Sequence, residues 1–201
     1  VTSATRVDRL KRLKALIVEN KTAFATTTKR EFNGARSYEF SLFSEYASKV
    51  EAIDYSVKHL KQWMKPERRK TNKPMNFLGG KGQVRYFPKG VVGIISPWNL
   101  PFGLTVAPLT SALAAGNRAL LKPSEYVPET AELFAEIVPQ YFPEDEVAVV
   151  TGGVEISQKF AELPFDHLLF TGSTGVGAQV MRSASKNLVP VTLELGGKSP
   201  V

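Results

Sequence analysis

The chain contains no cysteine and only two histidines among its 201 residues. The absence of thiols excludes disulfides, thiolate metal sites and a cysteine nucleophile within this chain. His59 and His167 are far apart, and no group of carboxylates accompanies either one, so the sequence predicts no metal site. The G-x-S-x-G motif that α/β-hydrolases carry at their nucleophile is also absent.

Long apolar runs are missing as well. No stretch of the chain reaches the ~18 apolar residues that a membrane-spanning helix requires, and its first residues do not have the pattern of a secretory signal. We therefore expect no membrane span and a cytoplasmic location. Hydrophobic residues make up 43% of the chain and charged residues 22%, which is typical of a folded globular protein.

Acidic residues are scarce in the first part of the chain. Residues 1–90 hold 20 lysines and arginines against eight acidic residues, whereas residues 91–201 hold six against eleven. A basic region can bind nucleic acid, and the run KPERRK at 65–70 is the strongest candidate for such a contact. Because the basic residues are spread through amphipathic segments, we favour the interpretation that they lie on solvated helices facing an acidic partner surface. We expect no nucleic-acid partner.

Apolar residues recur at helical spacing through residues 1–65, as in RVDRLKRLKALI at 6–17. Residues 74–90 then contain two extended runs around a glycine-rich stretch, which predicts a β-hairpin. We expect an N-terminal helical segment over residues 1–73 and a hairpin arm over residues 74–90.

From Val91 onward, strand and helix patterns alternate. The predicted strands are VVGII (91–95), RALLK (118–122), EVAVVTG (146–152), HLLFTG (167–172) and VPVTLEL (189–195). These runs are apolar on both faces, as in a parallel sheet that helices cover on both sides. The sequence therefore predicts an α/β fold with a doubly wound, Rossmann-like sheet over residues 91–201.

Small, polar or charged residues follow each predicted strand. These stretches are SPWN (96–99), KPSE (122–125), TGG (151–153), TGSTGVG (171–177) and ELGGK (194–198). Open parallel sheets bind their ligands at the carboxyl ends of the strands. We therefore expect all five stretches to converge at one edge of the sheet.

The glycine-rich turn FTGSTGVG is the best candidate for a phosphate site, since free backbone N–H groups at a helix start attract anions. Its spacing, with Gly172, Gly175 and Gly177, is G-x-x-G-x-G and departs from the dinucleotide fingerprint G-x-G-x-x-G. Nucleotide binding and a plain tight turn both remain open on this pattern alone.

Lys122 and Glu125 also follow a predicted strand. A lysine and a carboxylate there could hold a ribose, and the carboxylate would repel a 2′-phosphate. The competing interpretation is a surface ion pair of little energetic value.

Asn99 and Glu194 are the candidates for catalysis. Asn99 could donate its amide to a developing oxyanion, or it could cap the helix that follows. Glu194 lies between two leucines, so burial would raise its pKa and suit a general base. The alternative for Glu194 is an ordinary carboxylate at a strand end.

In their order along the chain, these motifs resemble the aldehyde dehydrogenase superfamily. GVVGIISPWNLPFGLTVAPLTSALAAGNRALLKPSE is similar to the start of the family's cofactor domain. FTGSTGVG and LELGGKSP are similar to its nicotinamide-site and general-base motifs. The VVTGG turn and the overall spacing resemble the class 3, or coniferyl aldehyde, branch. The resemblance covers residues 7–201.

The resemblance implies NAD(P)-dependent oxidation of an aldehyde, such as the aromatic coniferyl aldehyde, to a carboxylic acid. It implies that Asn99 stabilises the oxyanion and that Glu194 is the general base. NAD is the expected cofactor, with NADP also possible, because Glu125 favours a free ribose. The implied cofactor-binding residues are Ile95, Ser96, Pro97, Trp98, Lys122, Glu125, Gly153, Phe170, Gly172, Ser173, Thr174, Gly175, Val176, Gly177 and Leu195. The hairpin resembles the family's oligomerisation arm, which implies a homodimer or a higher homo-oligomer.

The missing cysteine is a departure from the family, whose nucleophilic cysteine follows the LELGGKSP motif. We therefore expect this chain to be the N-terminal, cofactor-binding part of such an enzyme, unable to complete the dehydrogenase step by itself. Two other hypotheses remain: a non-catalytic dinucleotide-binding or assembly module, and a nucleic-acid binder acting through residues 1–90.

Overall fold

The structure is a computed structural model that describes residues 1–198. The last two motif residues of LELGGKSP, Ser199 and Pro200, lie outside the described residues. Within residues 1–198, no helix combines the length and the apolar character needed to cross a membrane.

Helices form most of the first 63 residues, as the apolar spacing predicted. They are α1 (Ser3–Glu31), α2 (Tyr38–Ser41), a π-helical segment (Leu42–Ala47) and α3 (Ser48–Trp63). Helix α1 begins after Thr2, whose hydroxyl accepts a hydrogen bond from the N–H of Thr5 at 3.1 Å. Its apolar face is buried against the rest of the molecule.

A small antiparallel sheet follows the helices. Strand β1 (Glu67–Arg69) pairs with β2 (Gly82–Val84), and the short helix α4 (Lys73–Phe77) lies between them. The antiparallel pairing is confirmed, but the first strand lies in the basic run before residue 74. Asn72 accepts a hydrogen bond from the N–H of Met75 at 3.4 Å and starts a helix where we expected an extended run. The domain boundaries stay predictions.

The remaining residues form a five-stranded parallel sheet with helices on both faces. The elements are β3 (Val91–Ile95), α5 (Gly103–Ala114), β4 (Arg118–Lys122), α6 (Pro128–Tyr141), β5 (Val147–Val149), α7 (Val154–Ala161), β6 (His167–Gly172), α8 (Thr174–Ser185) and β7 (Val191–Leu195). The strand order is β5-β4-β3-β6-β7, with every pair parallel. The predicted α/β class and doubly wound sheet are confirmed. The order reverses between β3 and β6, which lie side by side at the centre.

Alternate side chains of the central strand β3 enter two different cores. Val92 and Ile94 of β3 pack with residues of α1, α3, α5 and α6, whereas Ile95 packs with residues of α7 and α8. This alternation follows from the two-residue period of a strand. The N-terminal helices therefore share one hydrophobic core with the sheet.

Polar groups at the amino-terminal end of the sheet bond to one another. We call this end, formed by Gly90, Asn117, Glu146 and Asp166 just before β3 to β6, the amino edge. The side-chain oxygen of Asn117 accepts a hydrogen bond from the N–H of Gly90 at 3.0 Å. Asp166 accepts one from the N–H of Val91 at 2.7 Å. Side chains thus satisfy backbone groups where the strands begin.

Glu146 binds two arginines of helix α1 and so connects this helix to the amino edge. Its carboxylate accepts hydrogen bonds from Arg9 at 3.0 Å and from Arg12 at 2.6 Å, and Arg9 also donates to the carbonyl of Asn117 at 3.3 Å. Burial by itself would raise the pKa of Glu146, but the hydrogen bonds from Arg12 and Arg9 outweigh it and hold the pKa below its usual value.

Candidate active site

Two adjoining clefts open at the carboxyl-terminal ends of the strands, which we call the carboxyl edge. The larger has a volume of about 700 Å³ and the smaller about 300 Å³. Both are lined by Pro97, Trp98, Thr171, Gly172 and Ser173, which follow or end β3 and β6. The clefts therefore lie where the strand order reverses, the usual ligand position of an open parallel sheet.

The larger cleft brings Asn99 and Glu194 together as lining residues. Asn99 is exposed in the turn between β3 and α5, and its side chain makes no hydrogen bond to any of residues 1–198. Glu194 is exposed near the end of β7. The prediction from its leucine neighbours that Glu194 is buried is wrong. Its strand, β7, lies at the edge of the described sheet and pairs only with β6.

The helix-capping alternative for Asn99 is also wrong. The N–H groups of Phe102 and Gly103, at the start of α5, both donate to one carboxylate oxygen of Glu45 at 2.9 Å. A residue from the π-helical segment therefore caps α5, and the amide of Asn99 is left to line the cleft.

One face of α5 forms another wall of the larger cleft. It contributes Leu104, Ala107, Pro108 and Ser111. None of these four residues was predicted to belong to the site. Their spacing of three, four and seven positions from the first is that of one helix face, and this was the available signal.

The smaller cleft lies between α7 and α8. Predicted cofactor residues that line it are Ile95, Ser96, Pro97, Trp98, Glu125, Phe170, Gly172, Ser173 and Val176. Polar lining residues that were not predicted include Tyr126, Ser157, Gln158 and Gln179. Tyr126 directly follows KPSE, whereas the other three sit on helix faces for which the sequence offered no chemical motif.

Lys122 is buried, with 1% of its side chain exposed, and it lines neither cleft. Its ammonium group donates to the carbonyl of Pro123 at 2.7 Å and lies 3.7 Å from the carboxylate of Glu125. Burial lowers the pKa of Lys122, and Glu125 offsets part of that effect. The interpretation as a surface ion pair is therefore wrong.

The glycine-rich turn leads into the amino-terminal end of α8. The hydroxyl of Ser173 accepts a hydrogen bond from the N–H of Val176 at 3.4 Å, which caps the helix. A Cβ atom on Gly177 would approach Leu195 to 2.7 Å, whereas one on Gly175 would meet nothing within 4 Å. Gly177 thus serves the packing of the turn, and Gly175 leaves open space beside a helix start that attracts anions.

The other predicted residues lie around these clefts. Leu195 lines the larger cleft. Gly153 precedes α7 and lines a separate hollow of about 250 Å³, which also touches Glu125. Thr174, Gly175 and Gly177 lie in the first turn of α8 and line neither cleft.

No group of three or more metal-ligating side chains occurs among residues 1–198. His59 lies on α3, and His167 begins β6. Burial, together with the charge of Lys89, lowers the pKa of His167.

Known proteins with similar sequences are aldehyde dehydrogenases. The probable coniferyl aldehyde dehydrogenase of Pseudomonas aeruginosa is 49% identical over 195 residues, which cover 97% of this chain and 40% of that protein. The dimeric, NADP-preferring aldehyde dehydrogenase of Mus musculus is 39% identical over 200 residues, covering 97% and 42%. The chain thus spans about 40% of the length of these relatives.

The solved structures that resemble this chain are also aldehyde dehydrogenases. Staphylococcus aureus AldH in its substrate-bound state matches with a TM-score of 0.93 and 35% identity, over 99% of this chain and 43% of that one. The Mycobacterium tuberculosis aldehyde dehydrogenase complexed with NAD+ matches with a TM-score of 0.83 and 31% identity, over 99% and 40%. The sequence profile of the aldehyde dehydrogenase family, whose members are NAD(P)-dependent oxidoreductases, matches residues 1–201. This chain belongs to the aldehyde dehydrogenase family.

Proposed function

We propose that the protein containing this chain oxidises an aldehyde to a carboxylic acid with NAD(P)+, and that this chain supplies the cofactor cleft and two catalytic side chains. The observation that carries the proposal is the shared cleft of about 700 Å³, which Asn99 and Glu194 both line, adjoining the smaller cleft at the centre of the sheet. The attacking thiol must come from outside these residues, because the chain contains no cysteine.

Asn99 acts on the substrate carbonyl. When a nucleophile adds to an aldehyde, negative charge develops on the oxygen, and an amide N–H₂ donor stabilises that charge. Asn99 is suited to this role because its amide is exposed at the cleft and makes no hydrogen bond to any of the described residues.

Glu194 acts on water. Hydrolysis of the acyl intermediate requires removal of a proton from the attacking water, and a carboxylate at the cleft can accept it. The exposed carboxylate of Glu194 is open to solvent as well as to the cleft, so it can also pass the proton on.

The smaller cleft, together with the neighbouring start of α8, is the site that we infer for the dinucleotide. The start of α8 can receive a phosphate beside the open space at Gly175. Glu125 lines the smaller cleft, where a carboxylate accepts ribose hydroxyls and disfavours a 2′-phosphate. When bound, the nicotinamide ring would accept the hydride. We infer NAD as the cofactor, with NADP as the alternative that the NADP-preferring mouse relative supports.

An aromatic aldehyde such as coniferyl aldehyde is the substrate that we infer. The larger cleft has apolar walls, including Trp98, Leu104 and Leu169, and the relative from Pseudomonas aeruginosa bears the name of that substrate. We also infer a homodimer or a higher homo-oligomer through the arm. Phe77 and Leu78, at the end of α4, are 95% and 80% exposed, and neighbouring exposed apolar side chains of this kind favour association.

The experiment that tests the function is steady-state kinetics of the intact protein with aromatic aldehydes. Glu194→Gln and Asn99→Ala should each lower kcat by about 100-fold or more, since each removes a group needed in the transition state. In Glu194→Gln the first equivalent of reduced cofactor should still form, because water is activated only after hydride transfer. Glu136→Gln, an exposed carboxylate on α6, is the matched control and should be unchanged.

Turnover of Glu194→Gln within twofold of the unsubstituted protein would contradict the general-base role. Absence of aldehyde-dependent reduction of either cofactor would contradict the proposed function as a whole. If the intact protein then still bound NAD+, the non-catalytic dinucleotide-binding hypothesis would take its place.

A further inference from the structure

Glu45 is a carboxylate in the N-terminal helical part of the chain that contacts the start of α5. Its side chain is 0% exposed. One of its oxygens accepts hydrogen bonds from the N–H groups of Phe102 and Gly103, each at 2.9 Å. A negative charge at this position also interacts favourably with the positive end of the α5 dipole.

Arg36 links Glu45 to the turn that carries Asn99. One guanidinium nitrogen lies 3.2 Å from the second oxygen of Glu45, and another donates to the backbone carbonyl of Asn99. The guanidinium also lies over the ring of Phe32, 4.2 Å from its centroid. The Phe32 ring in turn stacks on Trp98, with centroids 6.3 Å apart. Arg36 is thus held in place on two sides.

These contacts hold the turn between β3 and α5 at its middle and at the end where α5 begins. Arg36 binds the backbone of Asn99 itself, and Glu45 binds the backbone where α5 begins. The amide of Asn99 makes no hydrogen bond to any of residues 1–198 that would fix its direction. The position of this amide therefore depends on how rigidly its backbone is held.

The buried carboxylate depends on these partners. Burial raises the pKa of Glu45, whereas the hydrogen bond from Gly103 and the charge of Arg36 favour the ionised form. Removing Arg36 would leave a buried charge with fewer partners, which such groups do not tolerate well.

We propose that Arg36 and Glu45 form a positioning pair that holds the Asn99 turn so that its amide meets the developing oxyanion. This inference rests on the proposed function, because it takes the role of Asn99 from there. Neither residue lines the larger or the smaller cleft, so both act through the backbone of the turn. Misplacement of a catalytic group by about 1 Å can cost on the order of 100-fold in rate.

The kinetic test uses Arg36→Gln in the intact protein. We expect kcat to fall by about 10- to 100-fold, with KM for the aldehyde and Kd for NAD+ unchanged within twofold. Arg36→Lys, which keeps the charge and one donor, should recover part of the loss. Arg30→Gln on α1, whose side chain is 65% exposed and paired with Glu129, is the matched control and should retain full activity.

A double substitution separates positioning from a general loss of structure. If Arg36 acts through Asn99, Arg36→Gln should cost no further kcat in an Asn99→Ala background. A second loss of the same size in that background would overturn the inference, because it would show that Arg36 acts independently of Asn99.

Hydrogen exchange provides a readout that does not need activity. The amides of Phe102 and Gly103 should exchange at least about tenfold faster in Arg36→Gln, as their acceptor loosens. Unchanged exchange would overturn the inference. A protein with no aldehyde turnover but with this faster exchange would contradict the proposed function and would still support the pair as the element that holds the turn.

Discussion

The two ends of the parallel sheet differ in how their polar groups are satisfied. At the amino edge, Asn117 and Asp166 accept hydrogen bonds from the backbone, and Glu146 binds two arginines of α1. At the carboxyl edge, Asn99 and Glu194 are exposed at a cleft and make no side-chain hydrogen bonds to the described residues. Both edges are built from loops next to the same strands.

This difference shows that the sheet places the polar groups that stabilise the fold at one edge and those available for a ligand at the other. Satisfied polar groups rigidify a fold and are costly to disturb. Polar groups without internal partners remain available for a ligand, and they contribute little to stability. Substitutions at the amino edge should therefore change stability, and substitutions at the carboxyl edge should change binding or turnover.

The largest expected change in stability comes from a glycine of the amino edge, which we pair with a glycine of the carboxyl edge for comparison. Gly90, at the amino edge, has a φ of 134°, and a Cβ there would overlap the carboxylate of Asp166. Gly90→Ala should lower the free energy of unfolding by about 3 kcal/mol, because backbone strain adds to the loss of the Asp166 contact. Chemical denaturation of the intact protein measures this change.

Gly175→Ala is the matched substitution at the carboxyl edge. Because a Cβ there meets no protein atom within 4 Å, stability should change by less than about 0.5 kcal/mol. The Kd for NAD+ should rise by about tenfold if a phosphate approaches this backbone closely. A Gly175→Ala protein with unchanged Kd would show that the open space is not part of the cofactor site.

Glu146→Gln tests the ion pairs of the amino edge. We expect a loss of about 2 kcal/mol in the free energy of unfolding, since the substitution leaves the arginines of α1 without their counter-charge. Glu144→Gln, an exposed neighbour, is the control and should be neutral. Aldehyde turnover should stay within twofold in both variants.

The pH dependence of the stability of Glu146→Gln tests whether loss of the ion pairs causes the change. The pKa of Glu146 is lowered in the folded protein, so its contribution is fully present above the ordinary carboxyl pKa of about 4.3. That contribution is lost as the pH falls from there through the folded pKa. The difference in stability between the unsubstituted protein and Glu146→Gln should therefore shrink below about pH 4. A difference that persists in acid would assign the effect to packing.

Lys122→Met should change stability in the opposite direction to Gly90→Ala and Glu146→Gln. The buried ammonium costs solvation, as its lowered pKa shows, so a side chain of similar length without charge should raise stability by about 1 kcal/mol. If Lys122 supports the ribose site through Glu125, the Kd for NAD+ should rise about fivefold. A gain in stability with unchanged Kd would make Lys122 a purely structural residue.

The sequence predicted the arrangement of the carboxyl edge well, because topology alone brings the ends of parallel strands together. Asn99, Gly172 and Glu194 follow or end different strands, and the structure gathers all three around the larger cleft. No distance along the chain had to be known for this prediction, only the alternation of strand and helix.

The surroundings of these residues could not be predicted in the same way. Local neighbours suggested that Glu194 is buried, and one of the two interpretations of Lys122 placed it in a surface ion pair. The structure contradicts both. Exposure depends on which elements cover a strand end, and that is a tertiary property. Glu45 caps α5 from 57 positions away, and no local pattern signals such a contact.

Contacts between residues far apart in the chain also affect when the molecule can assemble. Arg9 and Glu146 are separated by 137 positions, so α1 cannot make this contact until most of the chain exists. At a synthesis rate of about 5–20 residues per second, that interval is roughly 7 to 27 seconds. Throughout it, Leu10, Leu13 and their apolar neighbours lack the partners from α5 and α6 that complete their burial in the finished core. The contacts of the amino edge, which stabilise the completed protein, therefore form late and leave the first helix incompletely buried until then.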